Sequence, residues 1–336
     1  MAGQLFIEIH PFHAITLYPY VASKSTPAQD AIFAHPRLFT EELFVGIRGQ
    51  KFKLSVLGVL RFILKNGVGR CHFNTINVTL TPLNPENVRL MLKTLALPAL
   101  TRAAGCQNCA VMHEPDQFYA TGIDGSRRAT WFRNLIGKWF IRLFDERYVL
   151  APEVAAFLAA KGVATKLLPA QPLKQFAATI PQHAGRTRPN GIVLCWVGPV
   201  MSNRRDWRPL LTLDREFLQS RCVSIAMLCD MSVSDGPVLK AAIQERGLDK
   251  HFVMFDSRPG DEDLFWWVNQ ADAVLCLYGR PEYGTTKTSG ARYLAAAFEK
   301  PYISIADTAT LFDNNGTKLA TSETLAECIE SIERKR

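Results

Sequence analysis

The sequence predicts an α/β chain in two domains, each built on a largely parallel sheet. Three observations carry that expectation. The chain has 336 residues, about twice the ~150 residues of an ordinary domain. Short apolar runs alternate with segments of helical periodicity along its whole length. One stretch, holding Pro169, Pro172, Pro181, Gly185 and Pro189, interrupts that alternation and reads as a linker. The expected organisation is a first domain over 1–170, a linker over 171–190 and a second domain over 191–336.

In the first half, Leu5–His10 reads as an opening strand and Asn77–Thr81 as another. Pro85–Leu97 has helical spacing. Cys109–His113 is a short strand that ends in a polar cluster, and Arg147–Pro152 is a strand followed by a helix over Glu153–Lys161. In the second half, strands are expected at Ile192–Val197, Val223–Cys229, His251–Phe255, Ala273–Leu277 and Tyr302–Ile305. Helices are expected at Gly236–Arg246, ended by Gly247, at Asp261–Gln270 with acidic residues in its first turn, at Ser289–Glu299 and at Ser322–Arg334.

Composition excludes several classes. With 48% hydrophobic and 21% charged residues, the chain has the material for ordinary cores and is neither disordered nor fibrous. No apolar run reaches the ~20 residues of a membrane span; Leu54–Leu60 is ended by Arg61. The N-terminus lacks the basic segment of a signal peptide, and a cytoplasmic protein is expected. Cys195, Cys222, Cys229 and Cys276 fall in apolar runs that read as buried strands, where a thiol packs as a small hydrophobe. Cys106 and Cys109 form one CxxC without a second pair at zinc spacing, so no metal is expected.

The net charge is +8, and it is unevenly spread. Residues 1–162 hold 18 Lys/Arg against 11 Asp/Glu, a surplus of seven, which leaves one for the rest of the chain. A basic surface implies an anionic partner. Two stretches concentrate it: Lys51 and Lys53 ahead of an apolar periodic segment, and Arg127, Arg128, Trp131, Lys138, Trp139 and Arg142. At 100° per residue, Phe132, Leu135, Ile136, Trp139, Phe140 and Leu143 share one arc. A basic amphipathic helix with tryptophan suits an anionic membrane surface; the same arc also suits an ordinary helix packed on a sheet. No nucleic-acid motif is visible.

The richest stretch for chemistry is Gln270–Ile305. It places Gly284, Thr285, Thr286, Ser289 and Gly290 ahead of an alanine-rich helix, where N–H groups and hydroxyls suit phosphate oxygens and Lys287 adds countercharge. This stretch resembles the donor-site segment of GT-B glycosyltransferases, especially the retaining group-1 type. Ala271-Asp272-Ala273-Val274 is similar to the strand entrance, and Ala295–Ile303 to the helix end, with Glu299 where the family has glycine. Asp313-Asn314-Asn315-Gly316 is similar to a later turn. Upstream, Gly198 followed by Arg204 and Arg205 resembles the glycine turn and paired cations that hold the donor diphosphate. Met112-His113-Glu114 resembles an active-site loop whose histidine contacts the transferred sugar.

The family's two donor-loop glutamates, eight positions apart, fall on Thr286 and Leu294. Glu282-Tyr283-Gly284 is similar to the first glutamate segment with extra residues inserted, and Tyr283 with Ser289-Gly290 is similar to a variant form of the loop. The resemblance implies two Rossmann-like α/β/α domains facing across a cleft, with a nucleotide-diphosphate sugar in the second. It implies transfer, retaining and metal-independent, to an acceptor hydroxyl on a lipid-linked or cell-surface glycan, at the inner membrane face. An inverting enzyme would need a carboxylate base, for which Glu114 or Asp116 is the candidate. A sugar-nucleotide epimerase on the same scaffold and a non-catalytic sugar-nucleotide-binding protein are the rival readings.

Overall fold

A computed structural model of the chain describes residues 4–9, 17–18, 20–22, 30–40, 42–45, 47, 49–76, 85–112, 115, 137–179, 186–202, 204–278, 289–305 and 309–334. Met1–Pro172 make one compact unit, and Leu173–Tyr283 with Ser289–Arg336 make another.

The first unit is built on strands β1 (Gln4–Glu8), β2 (Ala31–Ala34), β3 (Gln50–Lys53), β4 (Arg70–Ile76), β5 (Gln107–Met112), β6 (Glu146–Val149) and β7 (Lys166–Leu167). They form one sheet in the order β3-β2-β1-β4-β5-β6-β7, and every pairing is parallel. Helices α1 (Glu42–Val45), α2 (Val56–Asn66), α3 (Pro85–Ala103) and α4 (Pro152–Ala159) supply crossovers, as parallel pairing requires. Helix α2 starts where the Ser55 hydroxyl accepts from Gly58 N–H and stops at Gly67, which takes the left-handed φ of 61°. Leu5, Ile7, Phe33, Val59, Ile63 and Phe73 are in the core that covers the sheet.

The second unit repeats the plan. Strands β8 (Val193–Val197), β9 (Ser224–Asp230), β10 (Phe252–Phe255), β11 (Ala273–Leu277), β12 (Tyr302–Ile305), β13 (Ala309–Phe312) and β14 (Lys318–Ser322) lie in the order β10-β9-β8-β11-β12-β13-β14. The first five are parallel; β13 and β14 are antiparallel hairpin strands at one edge. Helices α5 (Gln171–Ala177), which begins in the first unit, α6 (Arg215–Ser220), α7 (Gly236–Glu245), α8 (Asp261–Gln270), α9 (Gly290–Ala297) and α10 (Leu325–Glu333) follow in chain order. Every residue of β8 and of β11 is buried, the pattern of parallel strands covered on both faces.

Several expectations are adjusted. Helix α5 lies inside the stretch read as a linker; its Leu173 is buried, and Phe176 meets Phe265 edge-on at 6.3 Å. The strand expected at 77–81 falls outside the described residues, and β4 ends just before it. Cys222 is not in a strand: it is exposed, with φ 50°, because the chain must turn there from α6 into β9. The arc drawn through 132–143 also changes. Residues 137–141 are helical, but N–H groups of 142, 143 and 144 then bond three residues back, to Trp139, Phe140 and Ile141. The tighter winding breaks the 100° spacing beyond 141; Phe140, Ile141 and Phe144 are buried while Trp139 is 53% exposed. Residues 127–136, with Arg127, Arg128 and Trp131, lie outside the described residues. Among the described residues, no helix is long and apolar enough to cross a membrane.

Candidate functional site

In each sheet the chain starts in the middle, builds outward one way, then crosses over and builds the other way. The switch falls between β1 and β4 in the first sheet and between β8 and β11 in the second. At such a point the crossovers leave in opposite directions, and the carboxyl ends of the strands flank a crevice.

The second unit fills that place with a turn of unusual closeness. Strand β8 ends at Gly198, whose φ is +92° and whose N–H bonds Leu228 O on β9 at 3.3 Å. The chain then folds so that the N–H groups of Arg204 and Arg205 both bond Met201 O, at 2.8 and 2.7 Å. Asp206 N–H reaches Leu277 O at the end of β11, 3.1 Å away. The Arg205 guanidinium is thereby laid against Gly198. A Cβ at position 198 would sit 2.7 Å from Nη1 and 2.8 Å from Nη2 and would push the guanidinium aside, while the positive φ itself favours glycine. Arg205 is 8% exposed and donates to Pro199 O at 3.4 Å; Arg204 is more exposed.

Asp235, just before α7, braces the turn. Its carboxylate accepts from Ser202 N–H at 2.6 Å and from Trp207 Nε1–H at 3.2 Å, and these bonds hold it below the ordinary carboxylate range. On the other side, Ser289 caps α9, accepting from Arg292 N–H at 3.3 Å, and its Oγ lies 3.0 Å from the Tyr278 hydroxyl. Tyr278 directly follows β11. Burial pushes the Cys229 thiol up to about 12 and the Cys276 thiol up to about 11, against the pull of the nearby Arg205 charge. Both are protonated at neutral pH and are no nucleophiles. The edge therefore gathers an enclosed guanidinium, a second arginine, a capped helix start and hydroxyls: groups that bind an anion and hold it in register.

Of the donor residues expected from sequence, Gly198, Arg204, Arg205, Ser289 and Gly290 are described and lie at this edge. Glu282, Tyr283, Gly284, Thr286 and Lys287 lie outside the described residues, as do His113, Glu114 and Asp116, which follow β5. Leu294, at the position of the family's second glutamate, is fully buried in α9 and faces the core. Asp272 of the strand-entrance motif is a structural tie at the opposite sheet edge: it accepts from Arg188 Nη2 at 2.6 Å and from Val193 N–H at 2.7 Å. Sequence reading passed over Tyr278 and Asp235. It also passed over Glu8 in the first unit, a fully buried carboxylate at the end of β1 that accepts from the Asn74 amide of β4, at that sheet's own switch point. An acid inside the apolar run Leu5–His10 was the available signal.

The basic residues divide. Lys51 and Lys53 are on β3, at one end of the first sheet; the Lys51 ammonium donates to Val45 O at 2.7 Å. Lys138, Trp139 and Arg142 precede β6, five strands away, or about 24 Å at ~4.8 Å per strand. They do not form one patch with Lys51 and Lys53.

Solved structures share this architecture over almost the whole chain. HepE of Anabaena, in complex with UDP, superposes with a TM-score of 0.58 at 13% identity, covering 99% of this chain and 90% of that one. The chain has the GT-B fold. UDP-GlcNAc 2-epimerase from Neisseria meningitidis, bound to UDP-GlcNAc, gives 0.53 at 10% identity over the same shares of 99% and 90%. A glycosyltransferase from Rickettsia africae gives 0.51 at 11% identity, covering 90% and 78%. No protein-family model matches the chain, and no curated protein matches it in sequence.

Proposed function

We propose that the second unit binds a nucleoside-diphosphate sugar at the β8–β11 edge and that the chain transfers the sugar to an acceptor hydroxyl. The observation that carries this reading is the Arg205 guanidinium packed on Gly198 at the switch point. A cation held there costs little reorganisation when a diphosphate arrives or departs. The presence of UDP and UDP-GlcNAc in similarly folded proteins supports a uridine nucleotide.

In this reading Arg204, Arg205 and the Ser289-Gly290 helix start neutralise the departing diphosphate. The chain's own cations supply that charge, so no metal is assigned to the step. Lys287 adds to the neutralisation, and Glu282, Tyr283, Gly284 and Thr286 shape the donor loop. His113 contacts the transferred sugar, and Glu114 or Asp116 serves as base if the configuration inverts. The surplus of positive charge in the first half suits an anionic, lipid-linked acceptor at a cytoplasmic membrane face.

Epimerisation of the sugar nucleotide is the second reading, favoured by the epimerase of the same fold. One experiment separates the two. The protein is first incubated with a panel of nucleotide sugars, and the one that raises its melting temperature is chosen. That donor is then incubated with and without membrane extract. Release of nucleoside diphosphate only with extract supports transfer. Conversion of the donor to its epimer without extract supports the second reading. Binding with neither product overturns both.

A further inference from the structure

The first unit has a recess of about 280 Å³ between the segment before β6 and the turn after α4. Lys138, Arg142, Arg147 and Lys161 line it, with Ile141 and Val163 as its apolar part. Its place in the fold separates it from the strand ends discussed above. Arg147 is the second residue of β6, residues 138–142 precede that strand, and 161–163 precede β7. All lie at the amino-terminal edge of the sheet, opposite the crevice at its carboxyl edge.

The charge of this recess is poorly answered from within. No carboxylate lines it among the described residues. Asp145 and Glu146, the acids just before Arg147, are engaged elsewhere. Asp145 accepts from Arg102 at 3.2 Å and from Asn108 N–H at 2.9 Å. Glu146 accepts from the Tyr148 hydroxyl at 2.5 Å and pairs with Arg70 and Lys166, each at 3.4 Å. Lys138, Arg142 and Lys161 enter no ion pair among the described residues; Lys161 sits 5.6 Å from the centre of the Phe157 ring. Arg147 plays a different part. Its guanidinium donates to Ile141 O at 3.1 Å and Phe144 O at 2.6 Å. That covers two carbonyl oxygens which would repel an anion, and it fixes one cation as a rigid wall. Three flexible cations around one fixed guanidinium, on a concave surface, are the components of an oxyanion site.

We infer that this recess binds a phosphate-bearing anion, separately from the nucleotide-sugar edge of the second unit. The same phosphate chemistry is offered by a soluble diphosphate and by the headgroup of an anionic phospholipid, and Trp139, exposed beside the recess, suits the second source.

The test uses the full chain in an Arg205→Gln background, so that the proposed donor site is weakened. Inorganic pyrophosphate is titrated by calorimetry. Flotation is measured with vesicles of phosphatidylcholine alone and of phosphatidylcholine with phosphatidylglycerol. The comparison variant adds Arg142→Gln and Lys161→Gln, both exposed positions; Lys65→Gln, an exposed cation of the same unit, is the control. Affinity for at least one probe is expected to fall tenfold or more in the double variant and to hold in the control. Loss of pyrophosphate binding identifies a soluble source. Loss of flotation on phosphatidylglycerol vesicles alone identifies a lipid source. Binding of neither probe, or binding unchanged by the double variant at equal melting temperature, overturns the inference. The donor reading fails on a different measurement: nucleotide-sugar binding that Arg205→Gln leaves intact.

Discussion

Arg205 rests its guanidinium directly on Gly198, so close that a methyl group on the glycine would stand 2.7 Å from Nη1. The turn and the cation are therefore one device. Gly198→Ala forces either the backbone out of φ +92° or the guanidinium out of its place. Strain of this kind costs on the order of 1–3 kcal/mol. The expected outcome is a lower unfolding free energy in urea together with at least tenfold weaker nucleotide-sugar binding. Wild-type affinity in Gly198→Ala would show that the contact does not position the cation.

Arg205→Gln separates binding from folding at the same place. A hydrogen bond to a charged group is worth about 1.5–3 kcal/mol, so loss of the guanidinium should weaken donor binding by tenfold or more. Gly198 remains glycine, and the turn keeps its Met201 and Leu277 bonds. Titration calorimetry with the donor that raises the melting temperature reads the effect. Unchanged affinity would remove Arg205 from the diphosphate site.

Ser289 serves two partners, Arg292 N–H and the Tyr278 hydroxyl. Replacing an N-cap serine by alanine costs about 0.5–2 kcal/mol, and here Tyr278 also loses a partner. Ser289→Ala is expected to lower stability by more than Tyr278→Phe, which keeps the cap. The two variants in parallel urea titrations decide it. Equal losses would mean that the cap contributes no more than the Tyr278–Cys276 contact that Tyr278→Phe also removes.

How far this architecture could be read in advance depended on burial. Ala273–Leu277 was legible because a strand covered on both faces is apolar throughout. Gln50–Lys53 was not: it is an edge strand with one apolar side chain, Phe52, and charge on an edge guards against stray pairing. In the hairpin, β14 was missed for the same reason, since it has no buried residue, whereas β13 has three and offers only a four-residue run. At the site, Gly198 and Arg205 are seven positions apart, and their pairing could be anticipated from a motif. The partnership of Tyr278 with Ser289 depends on how the chain returns after eleven residues. The recess of Lys138, Arg142, Arg147 and Lys161 exists only because a crossover brings the turn after α4 beside the start of β6.

Glu299 stands where the resembled family has glycine, and the structure gives the reason for that preference. Its φ is +56°, in the left-handed region that ends α9, with Lys300 N–H bonding Ala295 O at 2.8 Å. The carboxylate pairs with Lys174 at 2.7 Å on the surface, and exposed pairs contribute little. Glu299→Gly is therefore expected to raise the urea midpoint, while Lys174→Gln alone leaves it nearly unchanged. A lower midpoint in Glu299→Gly would show that the ion pair outweighs the backbone strain.

Glu146 ties stability to pH. Its carboxyl is held below the ordinary range, first by the Tyr148 hydroxyl and then by the Lys166 and Arg70 charges, against the opposing effect of burial. A depressed folded value means that the folded state binds this proton less readily than the unfolded one, whose carboxyl titrates near ~4.3. The contribution is complete above that value and is lost as pH falls through the lower, folded one. Wild-type protein is thus expected to lose more unfolding free energy between neutral and strongly acidic pH than Glu146→Gln, which has no proton to take up. Tyr148→Phe should fall between them, since it removes the leading cause and leaves both cations. Parallel urea titrations across that range measure the difference, and identical slopes for wild type and Glu146→Gln would show that the carboxylate carries none of the acid sensitivity.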